Sequence, residues 1–330
     1  MTQPYVTVFI PTYFGEQYLD ELFEQVFAQK VDFTYEVLVY DTSSTDRTPE
    51  RIKKYADKHK NLRHRTISKA EYGHGKTRRE AAYDAKGEIV VYLSQDATPA
   101  HDRWLYEMVM PFKINEKVAG VLGKQDPRPN AFPLLKNEVR AVFNNFGSDC
   151  GTTLFYKDDF VQSQGQYDVI SFYSDVNSAG RRSILTGDVP YKAVAYAEDQ
   201  LFGRDIIDAG YIKAYAPRGN VLHTNDIRLR DYRARMFDET KGLREVGIPV
   251  EKPSLHTIAK IIAKGVTKDW VRTIVDKDYS WKRKVYWLLM NPLYHIEKWR
   301  GIRLATSISL QDVASHSKYS LEKQQERRQS

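Results

Sequence analysis

The chain has 330 residues, of which 42% are hydrophobic and 28% charged, enough for one large folded domain with an extension; this excludes wholesale disorder. The single cysteine, Cys150, excludes a small fold stapled by disulfides and favours a reducing compartment. Residues 254–330 contain 15 Lys and Arg against 7 Asp and Glu, a surplus of +8, so residues 1–253 carry a net charge of −1. This distribution argues against nucleic acid as a partner and predicts a basic C-terminal segment with its own anionic partner.

No membrane-crossing segment is expected. Residues 1–5 lack the basic and apolar regions of a signal peptide, and no stretch approaches the roughly 18–20 apolar residues that cross a bilayer. We therefore expect a protein that is soluble or peripheral to a membrane.

Short β-branched runs alternate with helical patterns through the first 125 residues. Strands are predicted at residues 6–10, 36–40, 62–67, 89–93 and 119–123, with helices at 16–29, from 48, at 76–85 and from about 102. This alternation predicts an α/β fold with a mostly parallel central sheet flanked by helices. Residues 125–195 are less regular, and a helix that follows residues 197–201 ends at Gly210.

Polar residues follow three of the predicted strands. They are Pro11-Thr12-Tyr13, Asp41 and Ser94-Gln95-Asp96. Ligands of parallel α/β sheets bind at the carboxyl ends of the strands. The sequence therefore predicts one binding crevice lined by these residues.

Five segments, in this order and spacing, resemble family 2 glycosyltransferases with the GT-A fold. They are VTVFIPTY at 6–13, VLVYDTSSTD at 37–46, GKTRR at 75–79, LSQDATP at 93–99 and AEDQL at 197–201, followed by GY at 210–211 and VLH at 221–223. The resemblance covers about residues 4–235, and its particular form is similar to bacterial rhamnosyltransferases of surface polysaccharide synthesis. It implies a GT-A catalytic domain at 1–250 and a helical extension at 251–330.

The resemblance implies a pyrimidine nucleotide site at the first two strand ends. Asp41 would accept a hydrogen bond from the base, while Pro11, Thr12 and Tyr13 would shape the pocket, with Gln95 nearby. The alternative for Asp41 is a turn residue that binds its own backbone.

A divalent cation, Mg²⁺ or Mn²⁺, is implied at Asp96, which matches the metal-binding Asp of the family. Such a cation stabilises charge on the departing diphosphate. The first Asp of the usual pair is replaced by Ser94, which weakens a two-carboxylate site. His223 is a second candidate ligand, or else a structural histidine.

Lys76 and Arg78 begin a predicted helix, and Arg78 matches the arginine that faces the diphosphate in the family. A P-loop is rejected because its first glycine would fall at Ala70. The alternative is a solvated basic helix face.

Glu198 and Asp199 match the acidic pair of the family, with Asp199 as the catalytic base and Glu198 supporting it or placing the acceptor. From the residues alone, Asp199 also has the pattern of a helix N-cap.

The basic segment predicts an amphipathic helix. Its apolar stripe is Leu255, Ile258, Ile262, Val266, Trp270 and Ile274, and its basic stripe is Lys260, Lys264, Lys268 and Arg272. Tryptophan-rich basic helices bind anionic membrane surfaces. The alternative is packing on the catalytic domain or on a second subunit, as in a homodimer.

These features predict metal-dependent, inverting transfer of L-rhamnose from dTDP-β-L-rhamnose to a lipid-linked bacterial surface glycan, at the inner face of the cell membrane. The alternatives are a UDP-hexose donor with the same mechanism, or a silent nucleotide- or glycan-binding scaffold. A dinucleotide oxidoreductase is disfavoured because no glycine-rich turn follows residues 6–10.

Overall fold

The computed structural model describes residues 3–161, 163–224, 227–321, 323–324 and 327. The chain forms two compact units: Met1–Asp126 with Arg140–His223, and Pro127–Val139 with Thr224–Ser330. The second unit thus begins before residue 250. The division into a catalytic domain at 1–250 and an extension at 251–330 stays a prediction.

The described residues contain nine strands. They are β1 (Val6–Thr12), β2 (Tyr35–Asp41), β3 (Leu62–Thr66), β4 (Ile89–Leu93), β5 (Thr98–Pro99), β6 (Val118–Pro127), β7 (Thr153–Phe155), β8 (Asn177–Arg181) and β9 (Ile212–His223).

Twelve helices lie in the same described residues. They are α1 (Leu19–Phe27), α2 (Thr48–Lys58), α3 (His74–Asp84), α4 (Trp104–Ile114), α5 (Pro133–Phe143), α6 (Gln164–Ser171), α7 (Arg182–Leu185), α8 (Glu198–Asp208), α9 (Leu229–Glu245), α10 (Leu255–Val275), α11 (Trp281–Ser307) and α12 (Val313–Tyr319).

The strands form one mixed sheet in the order β3-β2-β1-β4-β8-β6-β9-β5, with β7 beside β9. The pairs β3-β2, β2-β1 and β1-β4 are parallel, which confirms the predicted α/β arrangement. Strand β8 joins this parallel block antiparallel to both β4 and β6. Because Thr12 lies opposite Asp41 in the register, the first two predicted strand ends meet at one edge of the sheet.

The central strands are buried on both faces, as expected for near-continuous apolar runs. Val8 and Ile10 pack in the main core with Val37 of β2 and with residues of the flanking helices, such as Leu22 of α1. On the opposite face, the ring of Phe9 makes edge contacts with other rings, 5.0 Å from that of Tyr40. Successive side chains of β1 therefore point to opposite faces of the sheet, and each face packs in an apolar layer.

The second unit is mainly helical and has its own core. That core consists of Phe132, Leu134, Tyr232, Met236, Tyr279, Trp287 and Tyr294. A buried polar network lies beside it: Asp269 accepts hydrogen bonds from Asn137 (2.7 Å) and Asn291 (3.0 Å) and lies 2.8 Å from the ring nitrogen Nε2 of His295. Packing within the unit thus uses part of the aromatic content of the C-terminal segment.

The predicted apolar stripe of α10 does not form a single exposed face. Val266 is buried and Ile258 and Ile262 are half-buried, whereas Leu255, Trp270 and Ile274 are exposed. The stripe divides because α10 packs on α11, which covers one side of it. No helix that the structure describes is both long enough and apolar enough to span a membrane.

Candidate active site

The ends of β1 and β2 are joined through the carboxylate of Asp41. Its Oδ1 accepts hydrogen bonds from the hydroxyls of Thr12 (3.0 Å) and Ser44 (2.7 Å), and its Oδ2 accepts the backbone N–H of Ser44 (3.0 Å). Asp41 therefore has the turn-forming contacts of the alternative interpretation. A carboxylate offers about four acceptor positions. Three are used, so one remains for a further donor.

Gln95 links the loops after β1 and β4. Its side-chain oxygen accepts the N–H of Tyr13, and its side-chain nitrogen donates to the carbonyl of Tyr13, each at 2.9 Å. A Cβ atom on Gly15 would lie 2.5 Å from the Gln95 oxygen, so a side chain at position 15 would displace the Gln95 amide from Tyr13. Gln95 is thus a clamp that leaves the Tyr13 ring 40% exposed. The half-buried Pro11 precedes this clamp, opposite Tyr40 in the sheet.

Asp96 and His223 are brought together although they are far apart in sequence. Thr98 of β5 pairs with Leu222 of β9, and this pairing places His223 Nε2 3.4 Å from Asp96 Oδ2. Both side chains are largely buried, at 22% exposure for Asp96 and 13% for His223. Within the described residues, no group of three or more His, Cys, Asp or Glu side chains is arranged to hold a metal ion. Of the residues that the structure describes, Asp96 and His223 are the two such donors that meet here.

Arg78 is held between two buried carboxylates. Its Nη1 donates to Glu198 Oε1 at 2.6 Å, and its Nε lies 2.9 Å from Asp175 Oδ2. Asp175 also accepts hydrogen bonds from the hydroxyls of Ser178 (2.6 Å) and Tyr191 (2.7 Å). The arginine thus connects α3 to the predicted acidic pair at the start of α8.

Gly75 permits this connection. A Cβ atom at position 75 would lie 1.9 Å from the carbonyl oxygen of Lys192 and 3.1 Å from the Glu198 side chain. The absence of a side chain at position 75 therefore lets the start of α3 lie against the backbone of Lys192, next to Glu198. The Gly-Lys-Thr sequence at residues 75–77, which is similar to part of a P-loop, therefore has a packing role at Gly75.

Lys76 lies on the outer side of the same helix turn. Its side chain is 41% exposed, and its ammonium group lies 3.8 Å from Glu80, one turn further along α3. The contact expected for a solvated helix face is therefore present, and the side chain keeps access to solvent.

Asp199 lies beside this cluster. Its Oδ2 accepts the backbone N–H of Asp175 at 3.3 Å, and its Oδ1 accepts the N–H of Gln200 at 2.8 Å. The residue before the pair, Ala197, is the N-cap of α8 and makes no side-chain capping bond, so Asp199 is not the N-cap.

The acidic cluster contains more negative than positive charge. Burial raises the pKa values of Asp175 and Glu198, against the opposing effect of the Arg78 guanidinium. Burial and the carboxylates of Glu198 and Asp175 raise the pKa of Asp199 to about 8. Three carboxyl groups share one guanidinium, so the cluster retains a proton near neutral pH.

Backbone strain coincides with the predicted site segments. Among the described residues, the non-glycine residues with positive φ are Phe14 (49°), Ser43 (48°) and Ala197 (58°). Phe14 follows Tyr13, Ser43 lies two residues after Asp41, and Ala197 precedes Glu198. Such conformations cost about 1–3 kcal/mol and persist where the surroundings require them. All three loops are therefore fixed in uncommon geometry.

The sequence reasoning missed Asp175. It lies in the irregular region 125–195, just before β8, and no local pattern distinguishes it from a loop aspartate. Its importance depends on β8 placing it next to Arg78, which is 97 residues earlier in the chain. A buried ion pair between distant segments leaves no signal in a single sequence.

Comparisons with known proteins identify the family of the chain. The family model described as Glycosyl transferase family 2 matches residues 7–187. The O-antigen chain rhamnosyltransferase WbaN of Salmonella anatum is 31% identical over 239 residues, 71% of this chain and 71% of the relative. The O-antigen chain rhamnosyltransferase RfbN of Salmonella typhimurium is 28% identical over 237 residues, 71% of this chain and 70% of the relative.

Solved structures share the fold at low sequence identity. The mannosyltransferase PcManGT of Pyrobaculum calidifontis, in complex with GDP-Man and Mn²⁺, aligns with a TM-score of 0.57 at 18% identity, over 94% of this chain and 88% of that chain. TarS 1–349 of S. aureus in complex with UDP aligns with a TM-score of 0.51 at 19% identity, over 92% of this chain and 90% of that chain. The family model covers more than half of the 330 residues. The chain therefore belongs to glycosyl transferase family 2 and is a glycosyltransferase.

Proposed function

We propose that this glycosyltransferase transfers L-rhamnose from dTDP-β-L-rhamnose, with inversion at the anomeric carbon, to a lipid-linked glycan of the bacterial surface. The observation that carries the proposal is the acidic pair at the start of α8, where Arg78 fixes Glu198 and Asp199 has a pKa near neutrality. The two rhamnosyltransferase relatives, at 31% and 28% identity, support the choice of sugar.

Asp199 is proposed as the catalytic base. The acceptor hydroxyl loses its proton as it attacks a transition state with oxocarbenium character, comparable to that of glycoside hydrolysis. A base is most effective when its pKa lies near the working pH, which fits the value of about 8 for Asp199. The backbone N–H of Asp175 orients the Asp199 carboxyl group. Glu198, held by Arg78, is proposed to place the acceptor.

The nucleotide is proposed to bind at the ends of β1 and β2. Asp41 has one acceptor position left for the imide N–H of thymine or uracil, and the exposed ring of Tyr13 offers a face to the base or ribose. Lys76, which keeps solvent access, is proposed to face the diphosphate. Arg78 contributes to the same site by fixing the acidic pair.

A divalent cation fits between Asp96 and His223. A carboxylate oxygen and an imidazole nitrogen 3.4 Å apart are donors that Mn²⁺ accepts, and a diphosphate and water have oxygens for the other positions. When bound, the cation would neutralise charge on the leaving diphosphate. Asp96, in the loop after β4, and His223, the last residue of β9, would hold it.

Thermal unfolding with a panel of nucleotide sugars tests the proposal. The melting temperature should rise most with dTDP-β-L-rhamnose, by mass action, and the rise should be larger with Mn²⁺ or Mg²⁺. A greater rise with UDP-galactose or UDP-N-acetylglucosamine would replace the donor and keep the mechanism. No rise with any nucleotide sugar would favour a silent scaffold that binds glycans.

A pair of variants separates nucleotide binding by Asp41 from its role in the loop. Asp41→Asn places an amide at one carboxylate oxygen, whereas Ser44→Ala removes the hydroxyl bond to Asp41 Oδ1, keeps the backbone N–H bond to Oδ2 and leaves the charge of Asp41. We expect the nucleotide-dependent rise to be lost in Asp41→Asn and kept in Ser44→Ala. Equal behaviour of both variants would assign Asp41 to the loop alone.

A further inference from the structure

The exposed apolar surface of the second unit has a different distribution from the predicted stripe. Eight of its exposed large apolar residues lie where α10 ends and α11 begins. We name this set the hairpin patch: Trp270, Val271, Ile274, Val275, Trp281, Val285, Tyr286 and Leu289. Their exposure ranges from 41% for Trp270 to 71% for Trp281 and Leu289. We propose that the hairpin patch binds an anionic lipid bilayer.

Helix α11 has two apolar faces, and one of them is uncovered. Trp287 and Tyr294 belong to the core of the second unit. Trp281, Val285 and Leu289 follow one another at four-residue intervals and therefore share the opposite face. A surface helix normally needs one apolar stripe to pack in a core. The second stripe of α11 requires another explanation.

The patch is held in place by the two helices. The indole N–H of Trp270 donates to the carbonyl of Leu288 at 2.8 Å, which ties the end of α10 to α11. The ammonium group of Lys284 donates to the carbonyl of Ile274 at 2.6 Å, at the last turn of α10. The exposed aromatic and aliphatic side chains thus stand on a fixed hairpin of helices.

Basic side chains adjoin the patch on α10. Lys264, Lys268 and Arg272 recur at four-residue intervals and line one shallow groove on the outer face of the helix. Among the described residues, none of these three forms an ion pair with an acidic side chain within 4 Å. Lys277 and Lys282 lie between the helices and on the first turn of α11.

The acidic residues of this segment are engaged elsewhere. Asp269 is buried in the Asn–His network of the second unit. Asp276 and Asp278 each lie 2.7 Å from the ammonium group of the buried Lys136. Asp276 and Asp278 share one ammonium group and so leave one negative charge near the hairpin patch, which the basic residues Lys264, Lys268, Arg272, Lys277 and Lys282 outnumber.

This combination favours a lipid surface over a second copy of the chain. In a two-fold dimer the same patch meets itself, so the basic residues of one copy would face those of the other. Such like-charge contacts oppose association. An anionic leaflet attracts the basic residues and accepts the aromatic and aliphatic side chains at its interface. The inference does not depend on which donor or acceptor the enzyme uses.

Vesicle sedimentation of the full chain tests the proposal. The probes are vesicles of phosphatidylcholine alone and of phosphatidylcholine with phosphatidylglycerol. We expect binding to the anionic vesicles only, weakening as ionic strength rises. The triple variant Lys264→Glu, Lys268→Glu, Arg272→Glu should partition at least about 100-fold more weakly, since each basic residue near the surface contributes about fivefold.

The matched charge control is Lys58→Glu, Lys60→Glu, Lys117→Glu, which reverses three exposed lysines of the first unit. It changes the net charge by the same amount and should bind as the parent does. Equal loss in both triple variants would mean that net charge alone drives binding and would overturn the patch.

The apolar contribution has its own pair of variants. Trp281→Ser with Leu289→Ser removes two side chains that are 71% exposed, so folding should be retained. Ile114→Ser with Val313→Ser removes side chains of similar exposure elsewhere, 66% and 74%. We expect vesicle binding to weaken at least tenfold in the first pair of variants. The second pair should bind vesicles as the parent does. Unchanged vesicle binding in the first pair, or its conversion of a dimer to a monomer in light scattering, would overturn the proposal.

Discussion

Replacement of Asp199 by Asn is the most demanding test of the acidic cluster. The amide keeps the size of the side chain and removes its basicity. We expect donor binding to remain and turnover to fall by about 10²–10⁴-fold, the range that a positioned base contributes.

The pH profile of the parent enzyme follows from the raised pKa of Asp199. With a pKa of about 8, only about a tenth of the carboxyl groups are ionised at pH 7. The base must be ionised to act, so kcat/KM should rise about tenfold between pH 7 and pH 9. A profile that is already flat below pH 7 would contradict the electrostatic account of the cluster.

Stability gives an independent reading of the same group. Folding raises the pKa of Asp199 from 3.8 to about 8, which means that the folded state disfavours the ionised carboxylate. The free energy of unfolding should therefore fall as the pH rises from about 4 to about 8. The full shift corresponds to at most about 6 kcal/mol. Because Asp199 is partly exposed and shares charge with its neighbours, we expect about 1–3 kcal/mol.

The assay is thermal unfolding of Asp199→Asn and the parent at pH 5, 7 and 9. The variant should gain stability relative to the parent as pH rises. The matched control is Asp188→Asn, at an exposed carboxylate that accepts a hydrogen bond from Tyr211. A stability difference that does not change with pH in Asp199→Asn, or the same trend in the control, would refute the reasoning.

Three further outcomes are expected. Asp96→Ala should abolish the extra thermal stabilisation that Mn²⁺ gives to nucleotide binding; activity in excess EDTA would contradict the metal site. Arg78→Lys loses the forked geometry that spans two buried carboxylates and should lower the free energy of unfolding by about 2–4 kcal/mol in denaturant titrations; an unchanged midpoint would show that the fork is not needed. Gly75→Ala places a methyl group 1.9 Å from the Lys192 carbonyl oxygen and should lower both stability and turnover; normal kinetics would mean that α3 shifts without affecting the site.

The parallel half of the fold could be predicted because its strands are buried apolar runs separated by turn residues. The antiparallel strand β8 could not. Its sequence, NSAGR, has no β-branched residue and no alternation, and it becomes a strand because β4 and β6 supply partners on both sides. A local sequence pattern does not predict a strand that forms because neighbouring strands pair with it.

The positions of the candidate site residues follow from the sequence only in part, for a similar reason. Asp41 and Gln95 follow predicted strands, so their place at the sheet edge was foreseeable; that Gln95 clamps the Tyr13 backbone was not. The basic C-terminal segment also shows that local patterns do not predict which side of a helix is covered. A period of 3.6 residues predicted helix α10 correctly, but which of its sides is covered depends on α11, and the exposed apolar surface includes residues outside the predicted stripe.

The transfer reaction itself is the most direct test of the proposed rhamnosyltransferase activity. The purified full chain would be incubated with bacterial membranes and radiolabelled dTDP-β-L-rhamnose, with UDP-hexoses in parallel, and the lipid-extractable glycans would be counted and their linkage determined. The account predicts that rhamnose alone enters this fraction, in the α configuration that inversion requires, and that the Asp199→Asn protein transfers at least about 100-fold less. Incorporation from a UDP-hexose instead, or a retained β configuration, would contradict it.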